Sequence, residues 1–105
     1  KDLHPLDILA ELHPTPAIGG SPRASALPRV SELEGFSRDW YSGVAGWFDH
    51  AGEGEFVVPL RCGHLKGKQV ALYAGSGIVK GSDPVREKNE TDLKFAAMLE
   101  SLQRT

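Results

Sequence analysis

The sequence lacks the features that mark secreted, membrane-bound or nucleic-acid-binding proteins. It contains one cysteine, Cys62, which excludes an internal disulfide framework and is consistent with a reducing compartment. No apolar run is long enough to cross a membrane, and the first residues, KDLHPLDILAEL, do not have the layout of a signal peptide. Twelve basic and fourteen acidic residues give a net charge of -2, with no block of like charge that would favour nucleic acid or a membrane surface. These absences predict a cytoplasmic protein.

The composition is otherwise that of one small globular domain. The chain has 105 residues, of which 40% are hydrophobic and 25% are charged, and this length permits only a modest core. Hydrophobic periodicity predicts three helices, at residues 6–12, 22–34 and 83–103. Pro28 lies inside the second, so we expect a kink there or two short helical pieces.

The period of the pattern changes to two from residue 40 onwards. It predicts three strands, at residues 42–49, 54–64 and 69–74. Short glycine-bearing turns separate them, which is typical of an antiparallel meander, and Pro59 indicates an edge or a bulge in the middle strand. Residues 13–22, HPTPAIGGSP, are predicted to be a loop without regular structure. The predicted fold class is therefore α+β, with a meander of about three strands flanked by helices.

Two features predict that these residues are a piece of a longer chain. A helical pattern begins almost at residue 1, without an initiator methionine or a disordered lead. Three strands and two or three helices would also leave one sheet edge and one helical face uncovered. We therefore expect residues 1–105 to be part of a larger domain.

A turn rich in glycine precedes the last predicted helix. A strand ends in Gly75-Ser76-Gly77, which we call the glycine corner, and such a turn exposes backbone N–H groups that can bind an anion. The helix that follows has Asp83 as a natural N-cap and Pro84 at its first position, where the missing N–H costs nothing.

Three charged residues share one face of this helix. Glu87, Glu90 and Lys94 lie three and four positions apart, so two carboxylates beside the glycine corner could hold a hard divalent cation together with an anion. Glu90 and Lys94 also have the spacing of a common surface ion pair, which stabilises a helix by only about 0.2–0.5 kcal/mol. Spacing alone favours that simpler interpretation.

Four ordered motifs give the sequence a resemblance to a known family. They are LHPTPAIGGSPR, RDWYSGVAGWFD, PLRCG and LYAGSGIVKGSDPVREKNETDLK. Together they resemble the C-terminal part of the chorismate-utilising enzymes, which include isochorismate synthases, salicylate synthases, and component I of anthranilate and aminodeoxychorismate synthases. The HPTPA segment is similar to the isochorismate synthase form, and Ala17 stands at the position that distinguishes the amine-transferring members. The resemblance implies a C-terminal fragment of the larger α/β sandwich that binds chorismate.

The resemblance also implies a magnesium site. Glu90 would bind Mg²⁺ directly and Glu87 directly or through water, because carboxylate oxygens and retained waters suit this ion. The metal would in turn hold the ring carboxylate of chorismate. Lys94 would balance the charge of this cluster, and the N–H groups around Gly75, Ser76 and Gly77 would contact a substrate carboxylate.

Further residues would complete the substrate pocket. Arg61 and Tyr41 would bind the enolpyruvyl carboxylate through a guanidinium fork and a hydroxyl group. Leu60 and Cys62, which flank Arg61, and Ala17 would shape the pocket wall. Taken singly, Arg61 is more simply an edge residue with its charge in water, Tyr41 a core residue and Cys62 a packed side chain. The ordered set of motifs favours the functional interpretation.

The reaction implied for the whole enzyme is Mg²⁺-dependent conversion of chorismate to isochorismate, a step toward menaquinone, siderophores or salicylate. The family's general base lysine, its general acid glutamate and another metal-binding glutamate lie N-terminal to the matched segment. We therefore expect no catalytic residue within residues 1–105 and no activity from the fragment alone. Its expected partners are chorismate or isochorismate and the remainder of its own catalytic domain.

Two alternatives remain open at this point. Within the family, the chain could belong to a salicylate synthase or to an amine-transferring synthase. Outside it, the chain could be a non-catalytic module that binds a carboxylated metabolite.

Overall fold

The computed structural model describes residues 3–104 and contains both helices and strands. The predicted α+β class is confirmed. In chain order the elements are α1 (Pro5–Leu12), α2 (Pro16–Gly19), α3 (Arg23–Glu34), β1 (Ala45–Phe48), β2 (Gly54–Val57), β3 (Cys62–Lys66), β4 (Gln69–Tyr73) and α4 (Pro84–Gln103). The chain divides into two compact units at the Pro59–Leu60 bond. Over the described residues, no helix is long and apolar enough to cross a membrane.

The helices of the first unit follow the predicted pattern with two differences. α1 begins at Pro5, and the Nδ1 atom of His4 caps it by accepting the backbone N–H of Leu6 at 3.1 Å. α3 is one continuous helix through Pro28, so the predicted alternative of two short helical pieces is wrong, and the alternative of a kink stays a prediction. The proline removes one backbone donor, and the remaining helical bonds hold the helix together. Pro22 caps α3 and is not its first residue.

The segment predicted to be an irregular loop contains a helical turn. The N–H groups of Ile18 and Gly19 both donate to the carbonyl oxygen of Thr15, at 2.9 and 2.8 Å, which forms α2. Pro16 favours this turn because its fixed φ suits the first helical position. Gly19 is buried, and a Cβ there would lie 2.9 Å from a methyl group of Leu27. The turn therefore packs closely on α3.

Gly20 is the position of this segment least able to carry a side chain. Its φ of 80° and ψ of 179° are accessible essentially only to glycine, and a Cβ would lie 2.8 Å from that of Ala26. We expect Gly20→Ala to lower the free energy of unfolding of the intact protein by about 1–3 kcal/mol.

Gly35 supplies the control for this prediction. It ends α3 at φ 71°, with no atom within 4 Å of an added Cβ, so Gly35→Ala introduces backbone strain without a clash. Denaturant titrations of both variants should rank Gly20→Ala as the more damaging. Equal losses would show that close packing at Gly20 contributes nothing.

The strands form two separate hairpins and not the predicted three-stranded meander. β1 pairs antiparallel with β2, and β3 pairs antiparallel with β4. The predicted middle strand, 54–64, is broken because Pro59 has no N–H to donate and Arg61 adopts a left-handed φ of 46°. The Pro59 carbonyl oxygen instead accepts the N–H of Ser42 at 2.8 Å.

Apolar side chains remain largely exposed. Among the described residues, no hydrophobic side chain is fully buried. Leu33, Leu93 and Leu99 belong to the hydrophobic patterns that predicted α3 and α4, yet they are 70%, 72% and 48% exposed. The α4 positions that are half-buried are instead Glu87, Thr91, Lys94, Phe95 and Met98. The apolar stripe that hydrophobic periodicity identifies on α4 is therefore not the side of the helix that the second unit covers.

Candidate functional site

The second unit places the glycine corner between strand β4 and helix α4. β4 ends at Tyr73, and α4 begins at Pro84. The predicted N-cap is confirmed: the carboxylate of Asp83 accepts the N–H of Val85, at a long 3.4 Å. α4 packs on β4, the strand that leads into the corner.

Lys94 joins the glycine corner to the carboxylate face of α4. Its Nζ atom donates to the carbonyl oxygen of Gly75 at 2.7 Å and lies 3.2 Å from the Oε1 atom of Glu90. The Lys94 side chain is only 18% exposed, whereas that of Glu90 is 56% exposed. An ion pair with one solvated partner stabilises the fold little. The main effect of Lys94 is therefore to hold the corner and the helix together.

Glu87 and Glu90 suit one side of a magnesium site. They lie one turn apart on α4, and Glu87 is half-buried. Mg²⁺ commonly binds through one or two carboxylates and completes its shell with water and substrate oxygens. Residues 3–104 contain no group of three or more His, Cys, Asp or Glu side chains that could hold a metal ion. The donor set present fits Mg²⁺ bound partly by other groups.

Open space surrounds the far end of the glycine corner. An added Cβ at Gly77 would have no atom within 4 Å, and its φ is not in the left-handed region. The fold of this unit therefore does not require glycine at this position. Gly75 and Ser76 are half-buried, and the Gly75 carbonyl is engaged by Lys94. The corner leaves room for a group to approach the backbone closely.

Arg61 lies apart from the carboxylate cluster. It is exposed, directly precedes β3, and lines a cleft with Leu65, Leu72 and Leu102, beside the C-terminal half of α4. In the part of the chain described, it makes no hydrogen bond or ion pair to Glu90. Its neighbours in sequence differ in burial, since Leu60 is exposed and Cys62 is half-buried at the start of β3.

Two of the predicted pocket residues belong to the first unit. Ala17 is exposed on α2. Tyr41 is half-buried in the turn between α3 and β1, where it lines a cleft with Ile18 and Leu27. The Cζ atom of Arg38 lies 5.5 Å from the centre of the Tyr41 ring.

Sequence reasoning missed the residues around Tyr41. Arg38 binds the carboxylate of Glu34 through two nitrogens, at 2.8 and 2.6 Å, and donates to the hydroxyl of Ser42 at 2.9 Å. The hydrogen bond to Glu34 is the main reason that the pKa of Arg38 is raised. The four-residue spacing of Glu34 and Arg38 was visible, but α3 ends between them at Gly35. The helical pairing rule therefore did not apply.

Comparisons with known proteins give consistent results. A family model described as a chorismate binding enzyme matches residues 1–103. Isochorismate synthase MenF of Bacillus subtilis is 44% identical over 96 residues, which are 91% of this chain and 20% of that protein. Isochorismate synthase EntC of Escherichia coli K12 is 46% identical over 94 residues, 90% of this chain and 24% of that protein. The chain thus spans about a fifth to a quarter of the curated relatives that it matches.

A solved structure is similar over almost the whole chain. The crystal structure is described as DhbC, a 2,3-dihydroxybenzoate-specific isochorismate synthase from Bacillus anthracis, and it matches with a TM-score of 0.89 and 38% identity. The match covers 99% of this chain and 28% of that one. Because the family model extends from residue 1 to residue 103 and includes all four motifs found in the sequence, this chain belongs to the family of chorismate-binding enzymes.

Proposed function

We propose that this chain is a C-terminal part of the catalytic domain of an isochorismate synthase, which converts chorismate to isochorismate. The observation that carries the proposal is the contact of Lys94 with both Gly75 and Glu90, because it gathers an ammonium group, a carboxylate and a backbone corner in one place. Its relatives MenF of Bacillus subtilis and EntC of Escherichia coli K12 are isochorismate synthases. A cytoplasmic location remains a prediction.

Each residue of the cluster has a role in the proposed site. Glu90 and Glu87 would hold Mg²⁺, which when bound neutralises the ring carboxylate of the substrate. Lys94 donates a hydrogen bond to Gly75 and forms an ion pair with Glu90, and its ammonium group has three N–H donors, so it can also donate to an anion. The N–H groups of the glycine corner would contact a substrate carboxylate.

The enolpyruvyl carboxylate is assigned to Arg61 and Tyr41. The exposed guanidinium of Arg61 matches a carboxylate in shape and charge, and the phenol of Tyr41 can donate a hydrogen bond. Leu60, Cys62 and Ala17 remain proposed as parts of the pocket wall.

Acid–base chemistry is assigned to the rest of the catalytic domain. The proposed reaction adds water at C2 and removes the C4 hydroxyl, which requires a positioned general base and a positioned general acid. We assign neither role to a residue of this chain. Residues 1–105 would therefore supply carboxylate binding and one side of the metal site.

Product identification tests the proposed function. The intact protein would be incubated with chorismate and Mg²⁺, with and without an ammonia source, and its products separated by chromatography and weighed by mass spectrometry. Chromatography is essential because isochorismate and chorismate have the same mass. A new isochorismate peak supports the proposal. Formation of salicylate would instead show that the protein also eliminates pyruvate. An aminated product would place the protein among the amine-transferring synthases.

Gly77→Ala tests the role of the glycine corner. Open space and an ordinary φ at Gly77 predict a change in unfolding free energy within about 0.5 kcal/mol. A methyl group there would keep a carboxylate from the backbone N–H groups, so we expect affinity for chorismate to fall about tenfold, a loss of about 1.4 kcal/mol. Calorimetric titration and urea denaturation separate the two effects. An unchanged affinity for chorismate would show that the glycine corner does not contact the substrate.

A further inference from the structure

Arg38 forms an unusually complete set of contacts for an arginine near the surface. Its Nε and Nη2 atoms donate to the two carboxylate oxygens of Glu34 at 2.8 and 2.6 Å, and its Nη1 atom donates to Ser42 at 2.9 Å. Both side chains of the ion pair are only about a quarter exposed, at 26% and 25%. Such bidentate pairs fix orientation as well as charge. By contrast, Arg29 and Glu32 on α3 are 65% and 70% exposed and meet at 3.2 Å.

The turn held by Arg38 has a strained backbone. Asp39 and Ser42 have left-handed φ values of 51° and 59°, although neither is glycine. Such conformations persist only when the surroundings impose them, and they are concentrated at functional sites. Ser42 is 8% exposed, and its N–H donates to the carbonyl of Pro59 at 2.8 Å. Its hydroxyl accepts from Arg38, so the N–H and the hydroxyl of this residue both fix the turn.

Tyr41 lies inside this strained turn. Its backbone N–H donates to the carbonyl of Arg38 at 2.9 Å, and its ring lies against the guanidinium at 5.5 Å. A cation over an aromatic face is attracted to it. Arg38 therefore restricts both the backbone conformation and the ring orientation of Tyr41. Three of the five N–H donors of Arg38 already donate to Glu34 and Ser42.

We propose that Arg38, tied to Glu34 and Ser42, is a positioning residue that holds Tyr41 in the orientation in which it binds the substrate carboxylate. This inference rests on the proposed function, in which Tyr41 contacts chorismate. Arg38 acts through Tyr41 because each of its three guanidinium nitrogens already donates to Glu34 or Ser42. Its loss should raise KM for chorismate more than it lowers kcat, as expected when binding shared by ground and transition states is lost.

A double-mutant cycle in the intact enzyme tests the inference. KM and kcat for chorismate would be measured for wild type, Arg38→Gln, Tyr41→Phe and the double variant. We expect Arg38→Gln to raise KM about tenfold, a coupling typical of residues in one hydrogen-bonded network, and to raise it no further in the Tyr41→Phe background. Arg38→Lys should behave like Arg38→Gln, because an ammonium cannot replace the planar fork. Arg29→Gln removes an exposed ion pair on α3, the helix that carries Glu34, and should leave KM unchanged.

The outcomes distinguish this inference from the proposed function. Additive effects in the cycle, or an unchanged KM in Arg38→Gln, would overturn it while isochorismate formation by the wild type still stands. An unchanged KM in Tyr41→Phe would overturn it as well. If Arg38→Gln does not fold, Ser42→Ala replaces it in the cycle with the same expected pattern, because it removes one contact and keeps the Arg38–Glu34 pair. A wild type that forms no isochorismate would refute the proposed function before any variant is made.

Discussion

Replacing Glu90 with glutamine in the intact protein should nearly abolish both Mg²⁺ binding and isochorismate formation. The substitution keeps the size of the side chain but removes the charge that attracts the cation, and it breaks the pair with Lys94 at 3.2 Å. Loss of an outer partner of a metal site typically costs about 10–100-fold in affinity or activity, and loss of a direct ligand should cost more. Calorimetric titration with Mg²⁺ and steady-state kinetics would measure the two losses.

Glu100 offers a matched control on the same helix. It pairs with Arg104 at 2.7 Å, four residues further on, and its side chain is 66% exposed. Glu100→Gln thus removes the same charge and the same kind of ion pair at the other end of α4, and it should leave kinetics and Mg²⁺ affinity unchanged. Equal effects of the two substitutions would show that Glu90 acts only through its negative charge and not as a ligand of the metal. Chorismate binding that survives Glu90→Gln and needs no Mg²⁺ would favour a non-catalytic carboxylate-binding module.

The 105 residues produced alone should form no isochorismate and should unfold without a cooperative transition. No hydrophobic side chain is fully buried among the described residues, and the large apolar side chains Leu33, Leu93 and Val79 are each at least 70% exposed. Ordering the backbone costs about 1–2 kcal/mol per residue, which only extensive apolar burial can offset. The proposed site also contains only two metal-binding carboxylates and no assigned acid or base.

Urea denaturation followed by circular dichroism would measure this behaviour. We expect a broad, shallow transition with a low m-value, because little surface is buried to begin with. The intact protein, measured beside it, should unfold sharply and form isochorismate. A sharp transition in the isolated chain would show that it covers its apolar surface by itself, and turnover of chorismate by the chain alone would refute our assignment of the acid and base elsewhere.

The sequence predicted best those features that local rules determine. Asp83 and Pro84 located the start of α4 because capping depends on a few adjacent residues. Spacing also placed Glu90 and Lys94 side by side, since helical geometry requires it. The contact of Lys94 with Gly75 joins residues 19 positions apart. This contact was not predicted, because no periodicity indicates it.

The features that the sequence did not predict depend on contacts between distant residues. In the segment between the two hairpins, the carbonyl oxygen of Pro59 accepts the N–H of Ser42, and a residue pattern cannot reveal such a bond. The half-buried side of α4 carries Lys94 and Met98 instead of Leu93, because hydrophobic periodicity identifies an apolar stripe without specifying what covers it. The pair of Glu34 and Arg38 was missed because it forms across the end of a helix.

The exposure of the aromatic residues has a practical consequence for spectroscopy. Both tryptophans of the chain, Trp40 and Trp47, belong to the first unit and are 76% and 54% exposed. Indole emission shifts to shorter wavelength when water around the ring is replaced by apolar groups. The intrinsic fluorescence of this chain therefore provides an optical reporter, without any added dye, of the moment when another protein surface covers the neighbourhood of Tyr41.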